Sequence, residues 1–234
     1  MDARLIVALD FPLAESALAL ADRIEGQVRW LKVGLELYCA EGPGLVRELR
    51  RRGFSVFLDL KLHDIPNTVA GAVRSAAATG AELLTLHAAG GPAMLRAAAD
   101  AAASLSNPPQ LLAVTVLTSM DQAQLTAIGV GAAPADQVRR LAAVAADAGI
   151  TGLVASAEEV ATLRGLYPQA TLVIPGIRPA GAAIGDQKRV ATPAAALADG
   201  ASYLVIGRPI TQAADPVAAT QAILAEMASV PATS

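Results

Sequence analysis

The chain has 234 residues, of which 54% are hydrophobic and 17% are charged, and its formal net charge is −3. This composition is typical of a folded globular protein and excludes an intrinsically disordered chain, while the lack of a Lys/Arg block argues against a nucleic-acid-binding surface. No uncharged apolar stretch reaches the roughly 18 residues that a membrane-spanning helix requires.

Short β-like runs recur along the whole chain and alternate with Ala- and Leu-rich segments. In these segments apolar residues lie three or four positions apart, which is typical of amphipathic helices. Several of the predicted helices end in a glycine, which can take the left-handed conformation that stops a helix. The eight predicted strands are Leu5–Leu9, Trp30–Val33, Ser55–Leu60, Leu83–His87, Leu111–Leu117, Gly152–Ala155, Thr171–Ile174 and Tyr203–Ile206.

The alternation of strands and helices indicates right-handed βαβ crossovers and a parallel sheet. Eight such units predict an α/β protein, a (β/α)8 TIM barrel that forms a single domain over residues 1–234. An open doubly wound sheet would favour a glycine-rich phosphate turn after the first strand, but Asp10-Phe11-Pro12 stands there.

The first forty residues also bear on location and thiol chemistry. The first apolar run is too short for a signal peptide, so we expect a cytoplasmic protein. Cys39 is the single cysteine, which excludes an intrachain disulfide. Its apolar flanks favour a buried structural thiol over a nucleophile. One cysteine and two histidines argue against a Cys/His zinc site.

Charged and polar residues mark the ends of the predicted strands, where the catalytic residues of a TIM barrel gather. They are Asp10 after the first strand, Lys32 in the second, Asp59, Lys61 and Asp64 in and after the third, and Thr118-Ser119 after the fifth. Because side chains alternate across a strand, Asp59 and Lys61 share one face and point into the barrel mouth, with His63 expected beside them.

A group of four charges is therefore predicted at this mouth. Lys32, Asp59, Lys61 and Asp64 can alternate in sign, so that carboxylates hold both ammonium groups charged and fix their direction. The alternative is an ordinary buried ion-pair cluster, but four charges converging on strand ends favour a functional site.

The loops after the seventh and eighth strands predict a phosphate site, as they commonly do in this fold. Gly207-Arg208 offers an unhindered backbone amide and a guanidinium, and Arg178 lies in the preceding loop. The small, glycine-containing segment 180–187 is long enough to act as a lid, with Gln187 as a further donor. The alternative for either arginine is a solvated surface charge.

Five segments in this order resemble bacterial orotidine 5′-phosphate decarboxylases over essentially the full length of the chain. They are Asp59-Leu60-Lys61-Leu62-His63-Asp64-Ile65-Pro66-Asn67-Thr68, Val116-Leu117-Thr118-Ser119-Met120, Pro175-Gly176-Ile177-Arg178-Pro179, Gly185-Asp186-Gln187 and Ile206-Gly207-Arg208-Pro209. The Asp-x-Lys-x-x-Asp pattern alone is moderately specific, because sugar-phosphate relatives of the barrel share it, whereas the five segments together are strongly specific.

The resemblance implies that Lys61 delivers a proton to C6 of the pyrimidine as CO2 leaves, to give UMP, while Asp59 lies against the substrate carboxylate. It also implies a homodimer with shared active sites: Lys32 and Asp64 complete the charge network, and Asp64 reaches across from the partner subunit. It implies no cofactor and no metal. The implied binding residues are Asp10 and Thr68 at the ribose, with Thr68 from the partner, Thr118 and Ser119 at the base, and Arg178, Gln187, Gly207 and Arg208 at the 5′-phosphate.

Three alternatives stay open from the sequence. One is a Mg²⁺-dependent sugar-phosphate decarboxylase or synthase of the same barrel group; Lys32 is a poor metal ligand, but Glu36 lies close downstream. Another is a non-catalytic nucleotide-binding barrel. The third is local: Asn67 or Thr68 can cap the following helix, and we prefer Asn67 for this role.

Overall fold

The computed structural model describes residues 2–179 and 191–230, and within them the strands form a closed barrel in sequence order with every neighbouring pair parallel. The predicted TIM barrel is thereby confirmed. The strands are Leu5–Ala8 (β1), Trp30–Gly34 (β2), Ser55–Leu62 (β3), Leu83–His87 (β4), Gln110–Val114 (β5), Gly152–Val154 (β6), Thr171–Ile174 (β7) and Tyr203–Ile206 (β8).

Helices of the described ranges surround the barrel. They are Ala14–Arg23 (α1), Leu35–Glu41 (α2), Pro43–Arg51 (α3), Pro66–Ala77 (α4), Gly91–Ala103 (α5), Gln122–Ala127 (α6), Pro134–Asp147 (α7), Val160–Leu166 (α8), Pro193–Ala198 (α9), Arg208–Thr211 (α10) and Pro216–Ala228 (α11). The extent of the single domain over residues 1–234 stays a prediction.

The strand residues divide by parity into two apolar cores. Leu5, Val7 and Leu9 belong to the large core between the strands and the helices. Ile6 and Ala8 belong instead to a smaller cluster that fills the lumen. This division follows from the two-residue period of a strand, since alternate side chains must point to opposite faces of the sheet.

Aromatic and aliphatic side chains close the lumen at the N-terminal ends of the strands. Trp30 and Tyr203 are the first residues of β2 and β8, and their rings meet edge to face with centroids 5.5 Å apart. Phe57, Leu83 and Leu112 belong to the same cluster. The lumen therefore has a packed floor and is not a pore, and its free space lies toward the C-terminal ends of the strands.

Three local predictions are wrong. Cys39 is exposed, because Leu37 is the residue of α2 that faces the core and a position two residues later is rotated by roughly 200° around the helix axis. Asn67 is not the N-cap of α4, because that helix begins at Pro66, whose fixed φ suits a first helical position. The fifth strand ends at Val114, before the predicted Leu117, and the last hydrogen bond of the β5–β6 ladder runs from the Thr115 N–H to Val154 O, which also accepts from the Thr115 hydroxyl.

Gly152 in β6 gives a test of the packing between strands. A Cβ atom at this position would collide with Leu112 Cδ2 and lie 2.6 Å from the Leu111 carbonyl oxygen. We expect Gly152→Ala to lower the free energy of unfolding by about 1–3 kcal/mol, because the backbone oxygen can move away only if the strands shift.

The matched control is Gly165→Ala in α8, where a Cβ atom meets nothing within 4 Å. Alanine there should leave the free energy of unfolding unchanged or raise it by up to about 1 kcal/mol. Denaturant titration of both variants measures the difference, and equal stabilities would contradict the predicted strand contact.

Candidate active site

The C-terminal ends of the strands bring charged and polar side chains around one cavity. Lys32, Asp59 and Lys61 line it together with Thr118 of the β5–α6 loop. Apolar residues of the lumen form the rest of its wall, including Val114, Val154, Val173 and Val205. A charged rim over an apolar floor is the arrangement expected of an active site in this fold.

Four side chains of alternating sign form a continuous chain across the mouth, here called the charge chain: Asp10, Lys32, Asp59 and Lys61. Lys32 Nζ donates to Asp10 Oδ1 at 2.9 Å and lies 3.6 Å from Asp59 Oδ2. Lys61 Nζ donates to the other oxygen, Asp59 Oδ1, at 2.9 Å. Each oxygen of Asp59 therefore faces a different ammonium group.

Asp59 is the buried centre of the charge chain. Its side chain is 12% exposed, compared with 57% for Asp10. Burial by itself would raise the pKa of Asp59, but the positive charges of Lys32 and Lys61 and the hydrogen bonds from Lys61 and Thr85 outweigh burial and hold that pKa below its usual value. Asp59 is accordingly an ionised carboxylate at neutral pH.

The backbone of β3 is irregular where it carries Lys61. The β3–β4 register runs through Leu58 opposite Leu84 and resumes with Leu62 opposite Leu86. Lys61 has φ of 51°, the one non-glycine residue with positive φ in the described ranges. A left-handed lysine inside a strand is costly, and such conformations cluster at functional sites.

Two glycines leave room beside Asp10 and Lys32, the first two members of the charge chain. A Cβ atom at Gly34, the last residue of β2, would lie 3.0 Å from Lys32 Nζ. A Cβ atom at Gly207, directly after β8, would lie 3.3 Å from Asp10 Oδ2. The Gly207-Arg208 segment thus reaches the same edge of the barrel as the ion pair between Asp10 and Lys32.

The two histidines lie beside Lys61. His63 is exposed and His87 is half-buried at the end of β4, with ring centroids 5.5 Å apart. Burial lowers the pKa of His87, and the neighbouring His63 and Lys61 lower it further, against the opposing effect of Asp59. His87 is therefore neutral at neutral pH and adds no positive charge to the mouth.

Comparison with known proteins connects this geometry with a family. The sequence model described as "Orotidine 5'-phosphate decarboxylase / HUMPS family" matches residues 3–223. The chain belongs to this family. The resemblance inferred from the five motifs is confirmed, and the chain is an enzyme, a carboxy-lyase.

Individual members of the orotidine 5′-phosphate decarboxylase family support the same assignment. The orotidine 5′-phosphate decarboxylase of Halorhodospira halophila is 54% identical over 97% of this chain and 96% of its own length. That of Alkalilimnicola ehrlichii is 56% identical over 97% of each. The crystal structure of the Lactobacillus acidophilus orotidine 5′-phosphate decarboxylase superposes with a TM-score of 0.85 at 37% identity, and the match covers 97% of this chain and 99% of that one.

The structure brings some of the predicted family site residues together and leaves others apart. Thr118 lines the cavity, whereas Ser119 is exposed beyond it. Asp64 is exposed and lies outside the charge chain, and its Oδ1 accepts a hydrogen bond from the neighbouring Ile65 N–H at 2.6 Å. Thr68 is exposed in the first turn of α4.

The predicted phosphate residues differ in burial. Arg178 is 9% exposed, and its Nη1 donates to the Ile177 carbonyl oxygen at 2.9 Å. Arg208 is exposed at the start of α10, directly after Gly207. Gln187 and the predicted lid at 180–187 lie outside the described residues.

Sequence reasoning placed Asp10 at the mouth but missed its ion pair with Lys32, and it missed Thr85 entirely. Asp10 was expected at the ribose, and its ion pair with Lys32 depends on the β1–β2 register, which no local pattern gives. Thr85 was not singled out at all. A usable signal existed for it, since Thr85 is a polar residue in the otherwise apolar run Leu83–Leu86.

The magnesium-dependent alternative requires a group of side chains that could hold a metal ion. Glu36 is exposed in the first turn of α2. Over residues 2–179 and 191–230, no three His, Cys, Asp or Glu side chains come together in a way that could hold a metal ion. In the same ranges, no helix has the length and apolar character needed to cross a membrane.

Proposed function

We propose that this enzyme converts orotidine 5′-phosphate to UMP and CO2, the last step of de novo pyrimidine nucleotide synthesis, with Lys61 as the proton donor. The observation that carries the proposal is the Lys61 ammonium group, fixed 2.9 Å from Asp59 Oδ1 at the rim of the cavity. Relatives above 50% identity that bear this activity in their names support the substrate.

The chemistry explains why a fixed ammonium group suits this reaction. When the bond between C6 and the carboxylate breaks, its electron pair stays on C6 in the plane of the ring, where the ring π system cannot delocalise it. A positive charge held beside C6 stabilises this pair as it develops and can then protonate it. Lys61 gives its proton to C6 and regains one from solvent, and CO2 leaves uncharged.

Asp59 and Lys32 serve this step by holding the donor in place. Asp59 directs the Lys61 ammonium group, and Lys32 neutralises the second oxygen of Asp59. Such preorganisation means that little rearrangement accompanies the appearance of charge on C6. The substrate carboxylate would lie against Asp59 before CO2 is lost, as the family resemblance implies.

The rest of the substrate is assigned to residues around the same mouth. In this proposal Thr118 and Ser119 contact the base, and Asp10 with Thr68 contacts the ribose. The 5′-phosphate binds Arg178, Gln187, Gly207 and Arg208. The approach of Gly207 to Asp10 supports this layout, because it places the phosphate segment beside the ribose end of the cavity.

We further propose a homodimer in which Asp64 and Thr68 complete the partner's site. Asp64 is charged, exposed and separate from the charge chain of its own subunit, as a residue serving another subunit would be. Ile65, directly after Asp64, is 66% exposed, and Leu35, the first residue of α2, is 51% exposed. A protein interface typically has an apolar centre and a polar rim, and exposed apolar side chains beside polar ones fit that pattern.

Replacing Lys61 tests the proton donor. We expect Lys61→Ala to lower kcat by at least about 10³-fold, because both the charge stabilisation and the proton source are lost. Loss of the orotate absorbance, followed with excess chelator present, measures turnover and also tests the magnesium-dependent alternative. Near-normal turnover of a folded variant would remove Lys61 from this role.

Mixing two inactive variants tests the shared site. Lys61→Ala and Asp64→Ala chains carrying different tags are co-expressed, and the mixed dimer is purified. One of its two sites then has Lys61 from one subunit and Asp64 from the other, so we expect about half of the wild-type activity per dimer. A mixed dimer as inactive as its parents would contradict a site shared in this way.

Replacing Arg208 tests the phosphate site. We expect Arg208→Ala to weaken UMP binding by about 10- to 100-fold, since a charge-assisted hydrogen bond to phosphate is lost, and to leave uridine binding unchanged. Arg140→Ala, an exposed arginine of α7, is the control. Calorimetry gives both affinities, and equal UMP affinity in the two variants would count against the site.

The expected cytoplasmic location and the expected absence of any cofactor stay predictions.

A further inference from the structure

Thr85 is a buried polar residue in an apolar strand. It is 0% exposed in the middle of β4, between Leu84 and Leu86, which are equally buried. A hydroxyl group at such a position is costly unless it is fully hydrogen-bonded. The hydrogen-bond partners of the Thr85 hydroxyl therefore indicate why this position carries a threonine and not a leucine or valine.

Both partners of the Thr85 hydroxyl belong to the charge-bearing part of β3. The Lys61 backbone N–H donates to Thr85 Oγ1 at 2.9 Å, and Thr85 Oγ1 lies 2.9 Å from Asp59 Oδ1. These contacts fall where the β3–β4 register shifts, so that Asp59, Leu60 and Lys61 stand opposite Thr85 alone. The hydroxyl takes the place of a ladder partner at this irregularity.

The direction of both hydrogen bonds is fixed by chemistry. A backbone N–H can only donate, so Thr85 Oγ1 accepts from Lys61. An ionised carboxylate can only accept, so the hydroxyl proton points to Asp59. One oxygen atom thus links the backbone of Lys61 to the carboxylate that also receives the Lys61 ammonium group.

We propose that Thr85 is a positioning residue for decarboxylation, because its hydroxyl fixes the left-handed backbone of Lys61 and the carboxylate of Asp59 relative to one another. This inference rests on the proposed function of Lys61. It assigns to Thr85 no contact with substrate. Its effect reaches the reacting carbon only through the position of the Lys61 ammonium group.

Removal of the hydroxyl has a specific consequence. The Lys61 N–H would lose its acceptor at the one described non-glycine position with positive φ, and Asp59 Oδ1 would keep Lys61 Nζ but lose its second donor. Relaxation of this segment moves the ammonium group away from its place. A displacement of about 1 Å at a reacting group can lower turnover by about 100-fold.

The experiment compares three variants. Thr85→Val keeps the shape of the side chain and removes the hydroxyl, and we expect kcat to fall by about 100-fold with KM little changed. Thr85→Ser keeps the hydroxyl, and we expect it to recover most of kcat. Thr220→Val is the matched control, because Thr220 is also 0% exposed and donates only to Pro216 O within α11.

The outcomes separate positioning from simple packing. A kcat for Thr85→Val equal to that of Thr220→Val would overturn the proposal. So would a Thr85→Ser variant as slow as Thr85→Val, because shape and not the hydroxyl would then matter. If Thr85→Val fails to fold, Thr85→Ala takes its place with the same expected loss of kcat and the same criterion.

A second measurement does not depend on turnover and separates this proposal from the proposed function. Carboxyl NMR titration follows Asp59 in the wild-type protein and in Thr85→Val, where loss of the hydroxyl donor should raise the pKa of Asp59. Wild-type protein that does not decarboxylate orotidine 5′-phosphate refutes the proposed function. An Asp59 titration that is the same in both proteins refutes the link through Thr85.

Discussion

A carboxylate inside a barrel is stable only if cations and hydrogen-bond donors surround it, and Asp59 depends on this condition. Removing one member of a buried ion pair typically costs about 3–5 kcal/mol, because the remaining charge has no solvent to turn to. Lys32, Lys61 and Thr85 satisfy the two oxygens of Asp59 from three strands. The relative positions of these strands, and hence the shape of the mouth, therefore depend on the negative charge of Asp59.

The architecture supplies this environment through simple geometry. Strand parity sends Asp59 to the lumen and Leu58 to the helices, and the closed barrel brings the ends of β1, β2 and β3 side by side. Glycine at 34 and 207 leaves space that a side chain would fill beside Lys32 and Asp10. Stability and the proposed chemistry thus use the same contacts, since the charges that hold the strands together are those that would act on a substrate.

The sequence carries much of this arrangement, and what it lacks has physical causes. Periodicity predicts the eight strands, and parity predicts that Asp59 and Lys61 face inward, because both signals are local. The left-handed conformation of Lys61 is not local: it accompanies a register shift against β4 and a hydrogen bond to Thr85. The pairing of Asp10 with Lys32 likewise requires strand register. Cys39 was predicted to be buried from its apolar flanks, whereas the phase of a short helix decides which of its residues face water.

The packed floor formed by Trp30 and Tyr203 has a kinetic consequence. A lumen that is closed at one end has one opening, so every molecule that enters through the rim must also leave through it. With the proposed substrate, a nucleotide product left in the cavity would block the next substrate, and CO2 released beneath it would have to pass the nucleotide or wait for its departure. Product release and substrate entry through one opening, and not bond breaking alone, therefore limit the turnover rate of such a site.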